Sequence, residues 1–452
     1  MNDYENNLFK TATKLRGKIP PSDYKFYVLP LVFLRYMSEK EKSEVWKNIV
    51  CNCNDEKLSS LLDHELEKIL PKFEHIKSPY ENMYSESNLP TRTLKELVCL
   101  IDEIDVDNQI EKVDYLGRIY EYFIGNFAAT EGNRGGEFFT PPSVVDLLVH
   151  MLNPQGGIVY DPACGTGGMF IQSNKYCRKE TKFVGQEQNH KTIMLAYMNG
   201  MLHGLNLIIK RGDTLLNDRF DELKADYIIS NPPFNMKDWG SDQLSPKDPR
   251  LLGLINKNNA NYMWIQHFIY HLKDTGKAGF VISNGALTSS NAADLDVRKK
   301  ILEQNLIDCV VQLPDKMFLG TAIPSALIFL NKGRGNKNKI LFIDASELGK
   351  NISKTQKILS EDDIAKISKL YHDYQLDKKV KYNKKGYSWI TKIEDIIANG
   401  CKIMPSIYTG VHEEKIDIVA VENEINELKL KLSHQIELSN RISKLVFEEL
   451  NK

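Results

Sequence analysis

Residues 158–168 read Ile-Val-Tyr-Asp-Pro-Ala-Cys-Gly-Thr-Gly-Gly, and this stretch decides the fold. Its apolar start predicts a buried strand, Asp161 stands at the strand end, and the glycines that follow predict a turn leading into a helix. Glycines let a ligand approach the backbone closely, and open α/β sheets bind ligands at the carboxyl ends of their strands. Because an acid precedes the glycines, the turn suits a ligand with an ammonium group rather than phosphates.

Short apolar runs repeat this strand signal from Gly136 to about Ser346 and alternate with helical patterns. The runs lie at residues 157–160, 182–185, 207–210, 227–230, 278–283, 307–313, 325–330 and 340–343. Such alternation is typical of a mostly parallel sheet that helices cover on both faces. The central part of the chain is therefore predicted to be a doubly wound α/β domain.

The segment before this domain shows helical patterns only. Residues 23–46 carry one helix-length apolar pattern, with Pro30 near its start or at a kink. Further amphipathic helices are predicted at residues 58–70, 94–104 and 115–127. A glycine-containing loop at 132–136 marks the boundary. The predicted domains are a helical N-terminal domain, an α/β domain with a poorly defined extension at 345–410, and a C-terminal helix, at residues 1–133, 134–410 and 411–452.

The chain after Glu413 contains neither proline nor glycine. Its apolar residues recur close to the spacing of one helix face, at Val421, Ile425, Leu428, Leu432, Ile436, Ile442 and Val446. This pattern predicts a long helix with an apolar stripe. The stripe packs either on its own domain or on another chain, and the length and terminal position favour a partner at least as strongly.

Composition and charge narrow the class of protein. The 452 residues, 42% hydrophobic and 26% charged, suit about two or three globular domains. A polar start and the lack of a membrane-length apolar run predict a cytoplasmic protein that does not contact a membrane. Seven cysteines indicate a reducing compartment, and the isolated Cys51-x-Cys53 pair predicts no metal site. With a net charge of −1, a protein acting on nucleic acid needs a partner for much of its affinity.

Residues 231–234 read Asn-Pro-Pro-Phe and follow the apolar run at 227–230. The Asn231 amide oxygen and the Pro232 carbonyl can accept the two N–H bonds of an exocyclic amino group, and Phe234 can stack on its heterocycle. Pro233 helps to fix the turn. The alternative interpretation of this tetrapeptide alone is a strand end followed by a Pro-Pro turn.

Two further acids stand at the ends of the next predicted strands. Glu187 follows the run at 182–185, where a carboxylate can accept both hydroxyls of a ribose. Asp213 follows the run at 207–210, where it can accept a hydrogen bond from an adenine amino group. Any one of these acids is commonly an ordinary loop residue. Together with Asp161 and the Asn-Pro-Pro-Phe turn, they favour a methyltransferase with a nucleoside cofactor.

At this point the chain resembles the modification (HsdM-type) subunits of type I restriction–modification systems, which are N6-adenine DNA methyltransferases. Residues 136–141, Gly-Glu-Phe-Phe-Thr-Pro, resemble the family's segment ahead of its first motif, and residues 161–168 and 231–234 match its first and fourth motifs. Residues 318–324 resemble its late loop, and residues 19–24 and 33–36 its helical domain. The resemblance implies a Rossmann-like, class I S-adenosylmethionine-dependent domain behind a helical N-terminal domain.

The resemblance also implies a set of site residues. One side of the cofactor pocket would be formed by Glu137, Phe138, Phe139, Thr140, Pro141 and Pro142. The methionine part of S-adenosylmethionine would be held by Asp161, Gly165, Thr166 and Gly167. The ribose would bind Glu187 and the cofactor adenine Asp213, while the target amine would be oriented by Asn231 and Pro232, with Pro233 fixing the turn and Phe234 stacking on the base. No metal is implied.

The expected activity is transfer of a methyl group to adenine N6 of double-stranded DNA, and adenine is favoured over cytosine by the resemblance alone. The implied partners are a specificity subunit carrying two modification subunits, and a possible restriction subunit. Two alternatives stay open, a methyltransferase for RNA or protein glutamine and a non-catalytic scaffold subunit. The N-terminal helices and the Phe-Phe-Thr-Pro stretch disfavour the first, and the intact Asn-Pro-Pro-Phe turn disfavours the second.

Overall fold

The structure is a computed structural model in which the chain forms two compact units, Met1–Gly410 and Val411–Lys452. The described residues are 10–11, 13–70, 82–87, 89–104, 112–131, 140–318, 323–334, 337–353, 356–410, 425–426, 428–437 and 439–442. None of the helices among these residues has the length and apolar character needed to cross a lipid bilayer. The predicted boundary loop at 132–136 lies outside the described residues.

Helices form the first part of the larger unit. They are α1 (Tyr24–Lys40), α2 (Val45–Cys51), α3 (Leu58–Ile69), α4 (Thr91–Asp102) and α5 (Lys112–Glu131). The single helix predicted over 23–46 is wrong, because the chain turns at Lys42 in a left-handed conformation (φ 51°) and Ser38 Oγ accepts a hydrogen bond from the Trp46 amide. Pro30 lies inside α1. The other predicted helices are confirmed.

A nine-stranded sheet forms the centre of the unit. Its strands are β1 (Gly157–Asp161), β2 (Thr181–Glu187), β3 (Leu207–Arg211), β4 (Ala225–Ser230), β5 (Leu272–Ser283), β6 (Ile307–Gln312), β7 (Ser325–Asn331), β8 (Lys339–Asp344) and β11 (Ser388–Lys392). The order is β11-β8-β6-β7-β5-β4-β1-β2-β3. Only the pairs β5–β7, β6–β7 and β8–β11 are antiparallel. All of the predicted strands and the mostly parallel sheet are therefore confirmed.

Helices cover both faces of this sheet. They are α6 (Pro142–Leu152), α7 (Gly168–Asn174), α8 (His190–Leu202), α9 (Asn261–His271), α10 (Asn284–Thr288) and α11 (Ala292–Glu303). Successive residues of a strand point to opposite faces, so Val159 packs in one core with α6, α7 and α8, whereas Tyr160 packs in the other with α9 and α11. The first core continues into the N-terminal helices, where the Tyr36 hydroxyl also donates to the Leu202 carbonyl.

The extension at 345–410, which the sequence left poorly defined, contains regular secondary structure. The hairpin β9 (Lys350–Asn351) and β10 (Lys357–Ile358) precedes α12 (Glu361–Gln375), and β11 is followed by α13 (Ile393–Ala398) and α14 (Pro405–Thr409). Helix α12 begins with a capping box, in which Ser360 and Asp363 each bond the other's backbone amide. Its buried face closes one sheet core, and its His372 Nε2 lies 3.1 Å from the Met151 carbonyl oxygen of α6.

The smaller unit is helical over its described residues, 425–426, 428–437 and 439–442. Its apolar side chains are exposed, namely those of Ile425, Leu428, Leu430, Leu432, Ile436 and Ile442. Val421 and Val446, the ends of the predicted stripe, lie outside the described residues. An exposed apolar face of this length is consistent with a surface that binds another chain.

Candidate active site

The carboxyl ends of four neighbouring parallel strands meet at one edge of the sheet. Because β4, β1, β2 and β3 lie side by side, their ends and the loops after them bring together four side chains, those of Asn231, Asp161, Glu187 and Asp213. The ends of β4 and β1 are joined directly, since Ser230 Oγ donates to Asp161 Oδ1 at 2.7 Å. This arrangement places the glycine-rich turn and the Asn-Pro-Pro-Phe turn beside the same cleft.

Asp161 is a buried acid at the base of this cleft. It is 1% exposed, and its Oδ1 also accepts a hydrogen bond from the Ala163 amide at 3.0 Å. Burial raises the pKa of Asp161 to about 7, against the opposing effect of hydrogen bonds from Ser230 and Ala163. A cationic group bound next to this carboxyl would favour its ionised form.

The glycine-rich turn leaves open space next to its backbone. Gly165 adopts a left-handed conformation (φ 53°), and an added Cβ there would point into open space. Gly167 (φ 79°) is the N-cap residue of α7, and it is buried and lines neither cavity of the cleft. Gly185 of β2 makes room for the turn, because a Cβ there would lie 2.8 Å from Cys164 Sγ. The open space at Gly165 fits a ligand that approaches the backbone.

Glu187 ties the end of β2 to this turn. Its Oε2 accepts a hydrogen bond from the Gly165 amide at 3.1 Å, and its Oε1 accepts one from the Asn189 amide at 2.9 Å. These two bonds orient the carboxylate at the end of β2. The side chain lines the cleft together with Gln188 and Thr192.

Asp213 lies in a loop that is fixed from two sides. Its Oδ1 accepts from the Leu215 amide at 3.0 Å, and Thr214 Oγ1 donates to the Pro162 carbonyl at 2.5 Å. The buried Arg250 guanidinium donates to the carbonyls of Thr214 and Leu215 at 2.9 and 2.7 Å. The loop after β3 is therefore held against both the glycine-rich turn and the 236–260 segment.

Two adjoining cavities, of about 150 and 190 Å³, occupy the cleft. The first is lined by Glu187, Asp213, Pro232, Pro233, Met236 and Trp264 among others, and the second by Thr140, Pro142, Asp161, Thr166, Gly168 and Met169 among others. Three residues line both cavities, namely Ala163, Gly165 and Asn231. Asn231 Nδ2 donates to Thr140 Oγ1 at 2.9 Å, so the amide is anchored between the two cavities.

Phe234 occupies a different position from the one its predicted role requires. The ring is 6% exposed and packs edge-to-face on Phe318, with 6.2 Å between ring centroids and an angle of 85° between planes. It lines neither of the two cavities. Stacking on a target base would require the ring to leave this packing, so that role stays a prediction.

The structure brings most of the predicted site residues to one cleft. Those that line it are Thr140, Pro142, Asp161, Gly165, Thr166, Glu187, Asp213, Asn231, Pro232 and Pro233. Pro141, Gly167 and Phe234 are buried and line neither cavity. The other three predicted residues, Glu137, Phe138 and Phe139, lie outside the described residues.

Sequence reasoning missed several residues of the cleft, above all Trp264 and Met236. Trp264 comes from α9, whose apolar pattern looks like that of any buried helix. Met236 and Arg250 belong to the 236–260 segment, which has little regular secondary structure. Adjacency to predicted site residues would have identified further lining residues from sequence, such as Pro162, Gln188 and Thr214.

A second polar cluster lies beside the cleft and consists of Asp218, His267 and His271, whose potential ligand atoms lie within 4.8 Å of one another. His271 Nε2 lies 2.8 Å from Asp218 Oδ2, and Arg250 Nη1 lies 3.4 Å from His267 Nδ1. Burial lowers the pKa of His267 well below its usual value. Because a guanidinium already faces the potential ligand atoms, the cluster is built as a hydrogen-bond network rather than as a cation site.

Comparisons with known proteins show which family the chain belongs to. The N-6 DNA Methylase family profile matches residues 111–417, and the HsdM N-terminal domain profile matches residues 4–116. The type I restriction enzyme MjaIX methylase subunit of Methanocaldococcus jannaschii is 32% identical, over 98% of this chain and 91% of its own length. The HindI methylase subunit of Haemophilus influenzae is 35% identical, over 71% and 74%.

A solved structure extends the similarity to the fold. The type I restriction–modification methyltransferase subunit from Streptococcus thermophilus superposes with a TM-score of 0.75 at 25% identity, covering 90% of this chain and 99% of that one. The sheet is thus that of a Rossmann-like methyltransferase fold. The chain belongs to the N-6 DNA methylase family, as one of the methylase subunits of type I restriction enzymes. The predicted family and fold are confirmed, whereas the roles of individual residues stay predictions.

Proposed function

We propose that this chain transfers a methyl group from S-adenosylmethionine to the N6 amino group of an adenine in double-stranded DNA. The observation that carries the proposal is the position of Asn231 in a wall common to two cavities, anchored on Thr140. One cavity carries the acids expected for a nucleoside, and the other carries the glycine-rich turn and a buried acid. Asn231 would therefore stand near the point where the methionine and adenosine parts of the cofactor are joined.

The residues of the cleft fit this cofactor. Asp161 and the open backbone at Gly165 would hold the methionine part, with the Asp161 carboxylate facing the ammonium group. Glu187 would accept hydrogen bonds from the ribose hydroxyls, and Asp213 would accept one from the adenine amino group. When bound, the sulfonium of S-adenosylmethionine supplies an electrophilic methyl group.

The chain's own contribution to the transfer is to hold the target amine. The Asn231 amide oxygen and the Pro232 carbonyl would accept the two N–H bonds, which favours the pyramidal form whose lone pair can attack. A neutral amide suits this task because a carboxylate would cost more to desolvate. The target base must first leave the duplex stack, which costs roughly a few kcal/mol. Stacking of the base on Phe234 would offset part of that cost.

The direct test uses the full chain with its specificity protein, S-adenosylmethionine labelled in the methyl group, and unmethylated duplex DNA. Digestion to nucleosides should place the label in N6-methyladenine. Asn231→Ala should lose most transfer while cofactor affinity, measured by calorimetry, stays near the wild-type value, because the pocket acids remain. Label in RNA or protein instead of DNA, or full transfer by the Asn231→Ala variant, would contradict the proposal.

We further propose that the apolar stripe predicted from Val421 to Val446, whose described side chains are exposed, packs on helices of a specificity subunit that reads the DNA sequence. The near-neutral charge supports this, because phosphate contacts usually supply most DNA affinity. The relatives are themselves named subunits of restriction enzymes. The expected assembly has two copies of this chain per specificity subunit, and a restriction subunit would join it.

Gel filtration of the mixed proteins tests this surface. A chain ending at Gly410 and a Leu428→Lys, Leu432→Lys double variant should both fail to co-elute with the specificity subunit. Both should keep wild-type affinity for S-adenosylmethionine, because all of the residues that line the two cavities belong to the larger unit. Glu437→Ala, an exposed polar change on the same helix, serves as the matched control. An intact complex with the shortened chain would remove the helix from the interface.

A further inference from the structure

The chain segment directly after the Asn-Pro-Pro-Phe turn is held by side-chain amides rather than by regular secondary structure. Asn235 adopts a left-handed conformation (φ 59°), which a non-glycine residue rarely adopts without support. Its backbone amide donates to Asn261 Oδ1 at 2.8 Å, and Asn261 Nδ2 donates back to Asn235 Oδ1 at 3.0 Å. A single side chain therefore bonds both the backbone and the side chain of the residue that ends the turn.

Two further residues join this network, one of which is Asn259, whose Nδ2 donates to Asn235 Oδ1 at 3.3 Å. Ser283 Oγ, at the end of β5, donates to Asn235 Oδ1 at 3.0 Å, and Asn261 Nδ2 also lies 3.3 Å from Ser283 Oγ. Asn261 and Ser283 are 5% and 1% exposed, whereas Asn235 is solvent-exposed. An exposed loop residue is thus fastened to two buried anchors, one on α9 and the other on the strand next to β4.

One of these anchors, Asn261, belongs to a helix that also lines the cleft. Helix α9 begins at Asn261 and carries Trp264, which lines the same cavity as Asn231 and Pro233. The Ala260 amide donates to the Met236 carbonyl at 3.1 Å, so the chain after Asn235 is fixed to the same helix start. The two prolines restrict φ within the turn, but they do not determine where the turn lies relative to the sheet.

We propose that Asn235, Asn261 and Ser283 are positioning residues that hold the Asn231–Phe234 turn at the distance and angle needed for methyl transfer. The inference rests on the proposed function. The network does not touch the acids of the cofactor cavities, so its loss would misplace the acceptors for the target amine and leave cofactor binding intact. A displacement of about 1 Å in a catalytic group lowers rates on the order of a hundredfold. Loss of the network should therefore lower kcat.

The test compares variants of the full chain in complex with its specificity protein, using unmethylated plasmid DNA as methyl acceptor. Asn261→Ala removes the two hydrogen bonds between Asn261 and Asn235 and leaves the bond from Ser283 in place. Asn235→Gly removes the side-chain bonds but tolerates the left-handed backbone, which separates hydrogen bonding from strain. Each should lower kcat by about ten- to a hundredfold. The dissociation constant for S-adenosylmethionine, measured by calorimetry, should stay within about twofold of the wild-type value.

Further variants make the test specific to the network. The double variant should be no slower than the slower single variant, because both changes break one shared network. Asn261→Asp keeps the acceptor for the Asn235 amide but loses the donor, and it should restore part of the lost rate. Asn258→Ala, an exposed change in the same segment, is the matched control and should keep wild-type kcat.

The outcomes separate this inference from the proposed function. If wild-type protein transfers no methyl group to adenine, the proposed function fails before any variant is measured. If the wild type is active and both single variants keep kcat within about twofold, the positioning role is wrong. It is also wrong if cofactor affinity falls in step with kcat, because the network would then support the whole domain. Ser283→Ala, measured for thermal stability and kcat, provides a second route should Asn261→Ala fold poorly.

Discussion

The side-chain nitrogen of Asn231 donates a hydrogen bond to Thr140 Oγ1 over 2.9 Å, across 91 positions of sequence. The bond joins the turn after β4 to the segment that leads into α6. Since an amide group is planar, a fixed nitrogen also fixes the direction of the oxygen. Thr140 therefore determines how Asn231 presents its acceptor to the cleft, in addition to lining the cofactor cavity.

Replacing this hydroxyl gives the first prediction. Thr140→Val keeps the shape of the side chain but removes the acceptor, so kcat should fall about tenfold, roughly the value of one lost hydrogen bond. Thr140→Ser keeps the acceptor and should retain most of the rate. Cofactor affinity by calorimetry should change little in either variant. Equal rates for the valine and serine variants would show that the hydroxyl does not orient Asn231.

The carboxylate of Glu187 carries the second prediction, because it bonds the Gly165 and Asn189 amides as well as facing the cavity. Glu187→Ala removes an acceptor for the ribose and also frees the glycine-rich turn. S-adenosylmethionine should therefore bind about tenfold or more weakly. Glu187→Gln, which keeps one acceptor oxygen, should lose less. The measurement is calorimetric titration, and unchanged affinity in the alanine variant would contradict the ribose assignment.

The raised pKa of Asp161, about 7, predicts a pH dependence of cofactor binding. Below pH 7 the buried carboxyl holds a proton, which must leave before the group can face an ammonium ion. Affinity should therefore rise as pH increases from 6 to 7.5, by up to about tenfold per pH unit at the acid end. Binding should release protons, which calorimetry in buffers of different ionisation enthalpy detects.

A substitution of Asp161 itself is the control for this pH dependence of cofactor binding. Asp161→Asn has no proton to lose and should bind the cofactor weakly, with an affinity that no longer changes between pH 6 and 7.5. The buried amide can still accept from Ser230, so the strand ends should stay joined. If the asparagine variant kept the wild-type pH dependence, another group would be responsible for it.

The sequence predicted those parts of the molecule that repeat a local pattern. Each predicted strand is observed, since a buried strand must be apolar along its length, and the acids at strand ends meet because parallel strands end at one edge. Contacts between residues that are far apart in the sequence could not be predicted from any such local pattern. Arg250 reaches the loop of Asp213 from an irregular segment, and the Asn235–Asn261 pair spans 26 positions. Both depend on tertiary packing that no periodicity records.

Phe234 shows where local pattern and tertiary structure disagree. The tetrapeptide predicts a ring that faces a base, yet the ring is 6% exposed and contributes to a sheet core against Phe318. A side chain with both roles has two measurable contributions, one to stability and one to base binding. A substitution that keeps apolar volume but removes the aromatic face separates them.

Phe234→Ala should lower the free energy of unfolding by about 3 kcal/mol and also lower activity, because it removes a buried ring. Phe234→Leu should cost about 1 kcal/mol of stability but lose base stacking, so kcat/KM for DNA should fall about tenfold or more. Phe342→Leu, which changes a buried ring of β8, is the matched control and should show a similar stability loss with wild-type kcat/KM for DNA. Denaturant unfolding and methyl transfer measure the two effects. If Phe234→Leu matched the control in both, the ring would be a core residue only, and the extruded base would stack elsewhere in the cleft.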